Sequence, residues 1–229
     1  MADRSNPMLG LVAAIGALIA VPVALNIYRA AQPRAAIGPE VMLAAAREVD
    51  RFWAENFDAQ FPGAVSRYRT PAVRFDDVRT DREAAADDYA GYYRNRAQSI
   101  HVDLDPDRSP GYTLMVLGHE YGHHVQNLAG LHDQLQRRET FATLSTLRQL
   151  GVRYELQAEC LAGVWAHHAA PRGDVITRAD VRRWQTLNTL GGDLDTHGTA
   201  RQRLQWFTRG YQEGQAAACD TFAPAWEAL

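Results

Sequence analysis

An uncharged apolar run lies close to the N-terminus. Residues 8–28, MLGLVAAIGALIAVPVALNIY, reach the roughly 20 residues that a helix needs to cross a bilayer. We therefore predict a transmembrane anchor over 1–30, a linker over 31–39 and one folded domain over 40–229. A cleaved signal peptide is the alternative, but the run is longer than its usual apolar core of about 7–15 residues. Small residues at Gly16, Ala20 and Ala24 form a stripe that could pair two anchors as a homodimer, although such stripes are also common in alanine-rich spans that form no dimer.

Beyond the linker, apolar residues mostly recur at helical spacing. Val41, Ala45 and Val49 begin such a pattern, and further helices are predicted over 113–129, 136–148, 150–168, 178–190 and 199–213. AVRFDDV (72–78) and QSIHVDLD (98–105) alternate like half-buried strands. The predicted fold class is α+β, mainly helical, with a small sheet whose edge could hold an extended peptide.

Composition narrows the range of partners. Hydrophobic residues make up 46% of the chain and charged residues 22%, which suits one folded domain behind an anchor. The formal net charge is −3 and the sequence has no basic block. These features argue against a nucleic-acid partner.

The most informative stretch is VLGHEYGHHVQN (116–127). On a helix, His119 and His123 lie one turn apart on one face and can bind one metal ion, while Glu120 is placed to act on water. This is the H-E-x-x-H pattern of zinc peptidases, although so short a motif also occurs by chance. Gly122 predicts close approach by another backbone that carries the remaining ligand. His124 is predicted to lie at the surface or behind the ligands.

A catalytic zinc site needs a third protein ligand. The extended pattern H-E-x-x-H-x-x-G-x-x-H is excluded because its last two fixed places hold Gln126 and Ala129. The later stretch RYELQAECLAGVWAHH (153–168) offers Glu155 and Glu159, four apart on one helix face. We predict that Glu155 binds zinc and that Glu159 accepts the outer N–H of a ligand histidine, His119. Two solvated glutamates on an amphipathic helix are the alternative.

Three motifs in order support a family resemblance. HEYGHHVQNLAG, YELQAECLAGVWA and THGTARQRLQWFTRGYQEGQAAACDTF resemble the bacterial putative neutral zinc metallopeptidase family, whose members are membrane-anchored with a gluzincin-like site. The resemblance covers about residues 40–222. It implies a zincin-like metallopeptidase domain over 40–229 and a zinc cofactor. It also implies that His119, His123 and Glu155 are ligands and that Glu120 is the catalytic glutamate.

His197 is a second candidate catalytic residue. Amide hydrolysis develops an oxyanion, and a histidine beside the metal can supply the extra hydrogen bond. His197 lies in DTHGTARQR at the start of a predicted helix. The alternative is a helix-capping turn in which Thr196 or Thr199 makes the hydrogen bonds.

The chain has two cysteines, Cys160 and Cys219. A disulfide between them would tie the C-terminal segment to the helix of Glu155 and place the domain on the extracytoplasmic side of the membrane. The alternative is a pair of ordinary buried thiols.

The predicted function is zinc-dependent hydrolysis of peptide bonds in a peptide or protein substrate, by a single-pass membrane protein. Water attacks the scissile carbonyl and Glu120 acts as general base. Two alternatives stay open: a zinc-binding scaffold without turnover, and a zinc hydrolase of a non-peptide amide.

Overall fold

Helices form most of the domain. A computed structural model describes residues 38–75, 90–104, 110–190 and 196–229, which belong to one compact unit. Its helices are α1 Pro39–Gln60, α2 Pro110–Leu128, α3 Leu131–Glu139, α4 Leu144–Ala169, α5 Arg178–Leu190 and α6 Ala200–Glu213. Short 3-10 turns follow at Ala216–Cys219 and Trp226–Ala228.

A three-stranded sheet precedes α2. The strands are β1 Ala72–Phe75, β2 Gly91–Arg94 and β3 Ser99–Val102, in the order β1-β3-β2. The central strand β3 pairs with β1 in parallel and with β2 in antiparallel orientation. The predicted α+β class, mainly helical with a small sheet, is confirmed. Strand β1 accounts for the described part of the strand predicted at 72–78, whose last three residues lie outside the described ranges. The strand predicted at 98–105 ends earlier, at Val102, and β2 was not predicted.

The packing of α4 against α6 centres on two glycines. A Cβ on Gly210 would lie 2.0 Å from the carbonyl oxygen of Cys160, and one on Gly163 would lie 2.3 Å from that of Phe207. The two helices therefore touch backbone to backbone. On the opposite side α1 covers α2, where the Tyr121 hydroxyl donates to the carbonyl of Ala46 at 3.0 Å. Trp53 and Trp165 are fully buried in this core.

The helix boundary predicted near residue 149 is wrong. The chain leaves α3 after Glu139, and α4 begins at Leu144, so Gly151 lies inside one long helix. Thr143 sets the start of α4, because its side chain accepts a hydrogen bond from the Thr146 N–H. The helical pattern predicted over 136–148 therefore belongs to two helices separated by a capped turn.

Cys160 and Cys219 form a disulfide that ties the 3-10 turn Ala216–Cys219 to α4. The alternative of two free thiols does not describe this structure. The apolar run 8–28, on which the anchor was predicted, lies outside the described residues. None of the helices in the described ranges is both long and apolar enough to cross a membrane.

Candidate metal centre

Two helices bring the predicted ligands together. On α2, Nε2 of His119 lies 3.1 Å from Nε2 of His123. On α4, Oε2 of Glu155 lies 3.2 Å from the first of these nitrogens and 3.1 Å from the second. The H-E-x-x-H helix and the later glutamate thus meet at one point.

Gly122 allows this meeting. A Cβ on Gly122 would lie 2.7 Å from the carbonyl oxygen of Ala158, a distance that real Cβ atoms essentially never show. Ala158 stands between Glu155 and Glu159, so α4 approaches α2 at the turn that carries both carboxylates. The predicted close approach at this glycine is confirmed.

Glu159 lies behind His119. Its Oε2 is 3.1 Å from Nδ1 of His119, and its Oε1 accepts a hydrogen bond from Nε1 of Trp184 at 3.0 Å. The tryptophan therefore orients the carboxylate, and the carboxylate orients the imidazole. Glu159 is 4% exposed, which does not fit the alternative of a solvated glutamate.

Gln126 has the corresponding place behind His123, a role that was not predicted. Its Oε1 lies 2.9 Å from Nδ1 of His123. Its Nε2 donates to the carbonyl of Tyr154 and to Oε1 of Gln157, both at 2.9 Å. Gln157 in turn donates to the carbonyl of Cys219 at 3.1 Å. These bonds fix which end of the Gln126 amide faces the histidine.

The hydrogen bonds at the two Nδ1 atoms determine what the two Nε2 atoms can bind. With Glu159 and Gln126 both accepting from Nδ1–H groups, the Nε2 atoms of neutral His119 and His123 carry lone pairs. Glu155 Oε2 is also an acceptor, so three lone-pair atoms face one another at 3.1–3.2 Å. Ligands around tetrahedral zinc, at the usual bond lengths near 2.0–2.1 Å, are separated by about 3.3 Å. The residues therefore fit a zinc ion.

The electrostatics of the cluster also favour a cation. Burial lowers the pKa of His119, but its hydrogen bonds with Glu155 and Glu159 outweigh burial and raise that pKa well above its usual value. Burial raises the pKa of Glu155, but the neighbouring histidines hold it well below its usual range. The site thus attracts positive charge.

Glu120 points into the same cleft without joining the cluster. It is 5% exposed, and its Oε2 makes no hydrogen bond with the described residues. Burial raises its pKa. A buried carboxylate with a free oxygen beside a metal centre can take a proton from water.

His197 also contacts Glu155. Its Nε2 is 3.2 Å from Oε2 of Glu155, and ligand atoms of His119, Glu155 and His197 all lie within 4.8 Å of one another. Burial lowers its pKa, so the ring is neutral and can donate a hydrogen bond or bind a metal. The helix cap is a separate feature, because Thr199 caps α6 in a capping box with Gln202.

His124 ties the sheet to α2. It is fully buried, and its ring nitrogens contact the Tyr93 hydroxyl at 3.0 Å and the carbonyl of Arg69 at 2.6 Å. Burial lowers its pKa to about 4, so it is neutral. Of the two predicted positions, the surface is wrong, because the segment before β1 and strand β2 cover this face of the helix. The ring nitrogens also contact no predicted ligand, so His124 does not lie behind the ligands either.

These elements enclose a cleft of about 730 Å³. Strand β2 and the following Asn95 form one wall, and the α4 residues from Leu147 to Glu155 form another. Tyr154 adds a stacked ring, with its centroid 5.3 Å from that of His123. The remaining lining includes His119, Glu120, His123, Thr196 and His197.

Comparison with known protein families agrees with this geometry. The model of the family described as putative neutral zinc metallopeptidase matches residues 98–222, more than half of the chain. The chain belongs to this family. The match begins just before β3 and includes every residue of the metal centre described above.

Similar proteins extend the comparison. The chain is 37% identical over 135 residues to Uncharacterized protein YpfJ of Escherichia coli K12, which covers 53% of this chain and 46% of the relative. It is 38% identical over 133 residues to Uncharacterized protein Mb2605 of Mycobacterium bovis and to Uncharacterized protein Rv2575 of Mycobacterium tuberculosis H37Rv, covering 48% of this chain and 44% of each relative. The chain thus spans about half the length of the curated relatives it matches. No solved structure matches it.

Proposed function

We propose that the chain is a membrane-anchored zinc metallopeptidase with a gluzincin-like site, in which His119, His123 and Glu155 hold the metal. One observation carries the proposal: three lone-pair atoms converge because outer hydrogen bonds turn both imidazoles toward Glu155. Three acceptors at these separations favour a bound cation.

Each residue has a distinct part in the proposed reaction. When bound, zinc supplies Lewis-acid polarisation of the scissile carbonyl and makes water acidic near neutral pH. Glu120 takes a proton from the attacking water and returns it to the leaving amine. Burial favours this exchange, because it brings the pKa of the Glu120 carboxyl upward, closer to neutral pH.

His197 is proposed to donate a hydrogen bond to the oxyanion. A catalytic site keeps one coordination position open for water or substrate, which a fourth protein ligand would fill. The Thr196 hydroxyl lies 2.7 Å from Nδ1 of His197 and supports the ring from behind. Nε2 then faces the centre, where it can donate.

An extended peptide is the proposed substrate. Strand β2 lies at the edge of the described sheet, and all of Gly91–Arg94 line the cleft beside Glu120. A peptide that adds to this edge would pass its backbone across the metal centre.

The membrane part of the proposal rests on the sequence of residues 8–28 and on the disulfide. An uncharged run of this length suits a transmembrane helix. Disulfides persist mainly in oxidising compartments, which supports an extracytoplasmic catalytic domain. Pairing of two anchors through Gly16, Ala20 and Ala24 remains part of this proposal.

The test separates metal binding from chemistry. Glu120→Gln should keep the fold and the zinc and lose about 100–10,000-fold in rate, the usual contribution of a general base. Glu155→Ala and His123→Ala should lose zinc. His197→Ala should keep zinc and lose activity, whereas loss of zinc would make His197 a ligand. Metal analysis and a peptide-library assay on the same samples measure both properties.

The same assay separates the alternatives. A zinc-loaded parent that cleaves no peptide in the library contradicts the peptidase. Tight zinc binding without any turnover then favours the scaffold, and hydrolysis of small amides alone favours the non-peptide hydrolase.

A further inference from the structure

Arg148 is an exposed cation at one end of the cleft. It lines the cleft with Leu147 and Gly151 and makes no hydrogen bond or ion pair with the described residues. It is seven residues before Glu155 on α4, on the same helix face. At 1.5 Å per residue, Arg148 is about 10 Å along the helix from the proposed metal ligand.

Strand β2 runs toward the same end. At its start, a Cβ on Gly91 would lie 3.4 Å from Cγ of Glu120. Just beyond its end, the carbonyl of Asn95 accepts from Asn127 near the C-terminus of α2 at 3.2 Å. That part of α2 faces the first half of α4, since Gln126 donates to the carbonyl of Tyr154. The edge strand therefore leads from the catalytic glutamate toward Arg148.

Arg148 differs from the other charged residues that line the cleft. Its lining contains two carboxylates, Glu120 and Glu155, and two guanidinium groups, Arg94 and Arg148. Glu155 belongs to the metal-centre cluster, and Glu120 beside it has the proposed role of general base. Arg94 lies over the Tyr92 ring, 5.3 Å from its centroid, and has a further partner in the chain. Arg148 is thus the charge best placed to meet a substrate.

We propose that Arg148 forms a subsite for an acidic side chain of the substrate; this rests on the proposed peptidase function. An extended peptide rises about 3.3 Å per residue, so a span of about 10 Å corresponds to about three residues. Antiparallel pairing is the commoner arrangement of neighbouring strands. A peptide antiparallel to β2 would run from Arg148 toward Glu120. The acidic residue then lies about three positions N-terminal to the scissile bond.

The expected effect is modest and falls on binding. An exposed ion pair that is lost typically changes an equilibrium by up to about fivefold. Since Arg148 is remote from the reacting atoms, it should act equally on bound substrate and transition state. Arg148→Ala should therefore raise KM about two- to fivefold for an acidic peptide and leave kcat unchanged. Added salt should reduce the difference between parent and variant.

The test uses the full zinc-loaded chain and a peptide that it cleaves. Versions of this peptide carry Glu, Gln or Lys three positions before the scissile bond. The parent should prefer Glu over Gln and Gln over Lys, and Arg148→Glu should reverse this order. Arg182→Glu is the matched control, because Arg182 is an exposed helical arginine outside the cleft lining. It should leave the order unchanged.

Binding of the same labelled peptides to zinc-loaded Glu120→Gln, measured by fluorescence anisotropy, separates the two proposals. A parent that cleaves no peptide, with acidic peptides still bound through Arg148, contradicts the peptidase and supports the subsite. Cleavage that is indifferent to charge, or a Glu preference that persists in Arg148→Glu, overturns the subsite and leaves the peptidase standing.

Discussion

Oε1 of Gln126 lies 2.9 Å from Nδ1 of His123, and this contact turns the other ring nitrogen toward the metal centre. Gln126 is fully buried, and its amide is held by the carbonyl of Tyr154 and by Gln157. It does for His123 what Glu159 does for His119, but without a charge. Each histidine thus has an outer acceptor that selects its tautomer.

Gln126→Ala should therefore weaken zinc binding about 10–100-fold, the usual effect of removing such an outer partner. Competition with a chelator measures the affinity, and circular dichroism checks that helical content is kept. Gln157→Ala is the matched control, because it removes one hydrogen bond to the Gln126 amide and leaves the acceptor in place. It should weaken zinc binding less than Gln126→Ala does. Equal affinity of Gln126→Ala and the parent would mean that another group orients His123.

Glu159→Ala should also weaken zinc binding about 10–100-fold. Glu159 accepts from Nδ1 of His119 and from Nε1 of Trp184, so the two contacts can be separated. Trp184→Phe removes only the contact with the tryptophan and should have the smaller effect on affinity. A tryptophan variant that loses as much zinc affinity as Glu159→Ala would show that packing, and not the carboxylate, holds the histidine.

The sequence reveals the parts of the centre that depend on short spacing. His119 and His123, and likewise Glu155 and Glu159, are pairs four residues apart, so helix geometry alone places each pair on one face. Gly122 indicated the close approach because a glycine inside a helix is otherwise unfavourable.

Other parts depend on long-range contacts and could not be predicted locally. The place of Gln126 follows from bonds to Tyr154 and Gln157 on another helix. Strand β2 shows no alternation of apolar and polar residues, since it has tyrosines at the adjacent positions 92 and 93. Each has its own partner: Tyr92 stacks on His101, and the Tyr93 hydroxyl contacts His124. The pairing of β2 with β3 defines the strand, and no local pattern marks it.

Replacement of both Cys160 and Cys219 by alanine should lower the free energy of unfolding by about 4 kcal/mol, within a usual range of about 2–5 kcal/mol. The bridge closes a loop with a sequence separation of 59, and its removal frees the unfolded chain. Urea unfolding of the zinc-free protein measures the change. The carbonyl of Cys219 that binds Gln157 belongs to the backbone, so the folded variant should keep most of its zinc affinity. Unchanged stability would contradict a bridge that constrains the unfolded chain.

Two glycines offer a test of how the helices hold the ligands together. A Cβ at Gly122 would lie 2.7 Å from the carbonyl oxygen of Ala158, whereas a Cβ at Gly151 would meet nothing within 4 Å. Gly122→Ala should therefore push α2 away from α4 and cost about 1–3 kcal/mol of stability. It should also weaken zinc binding, because Glu155 moves away from both histidines.

Gly151→Ala is the matched control for the same substitution inside α4. It introduces no clash, and the higher helix propensity of alanine should add up to about 1 kcal/mol of stability. Zinc affinity should stay at the level of the parent. Urea unfolding and zinc titration of both variants measure the two effects. Full zinc affinity in Gly122→Ala would mean that the centre tolerates a wider separation, and that close backbone packing at Ala158 is not what brings Glu155 to the histidines.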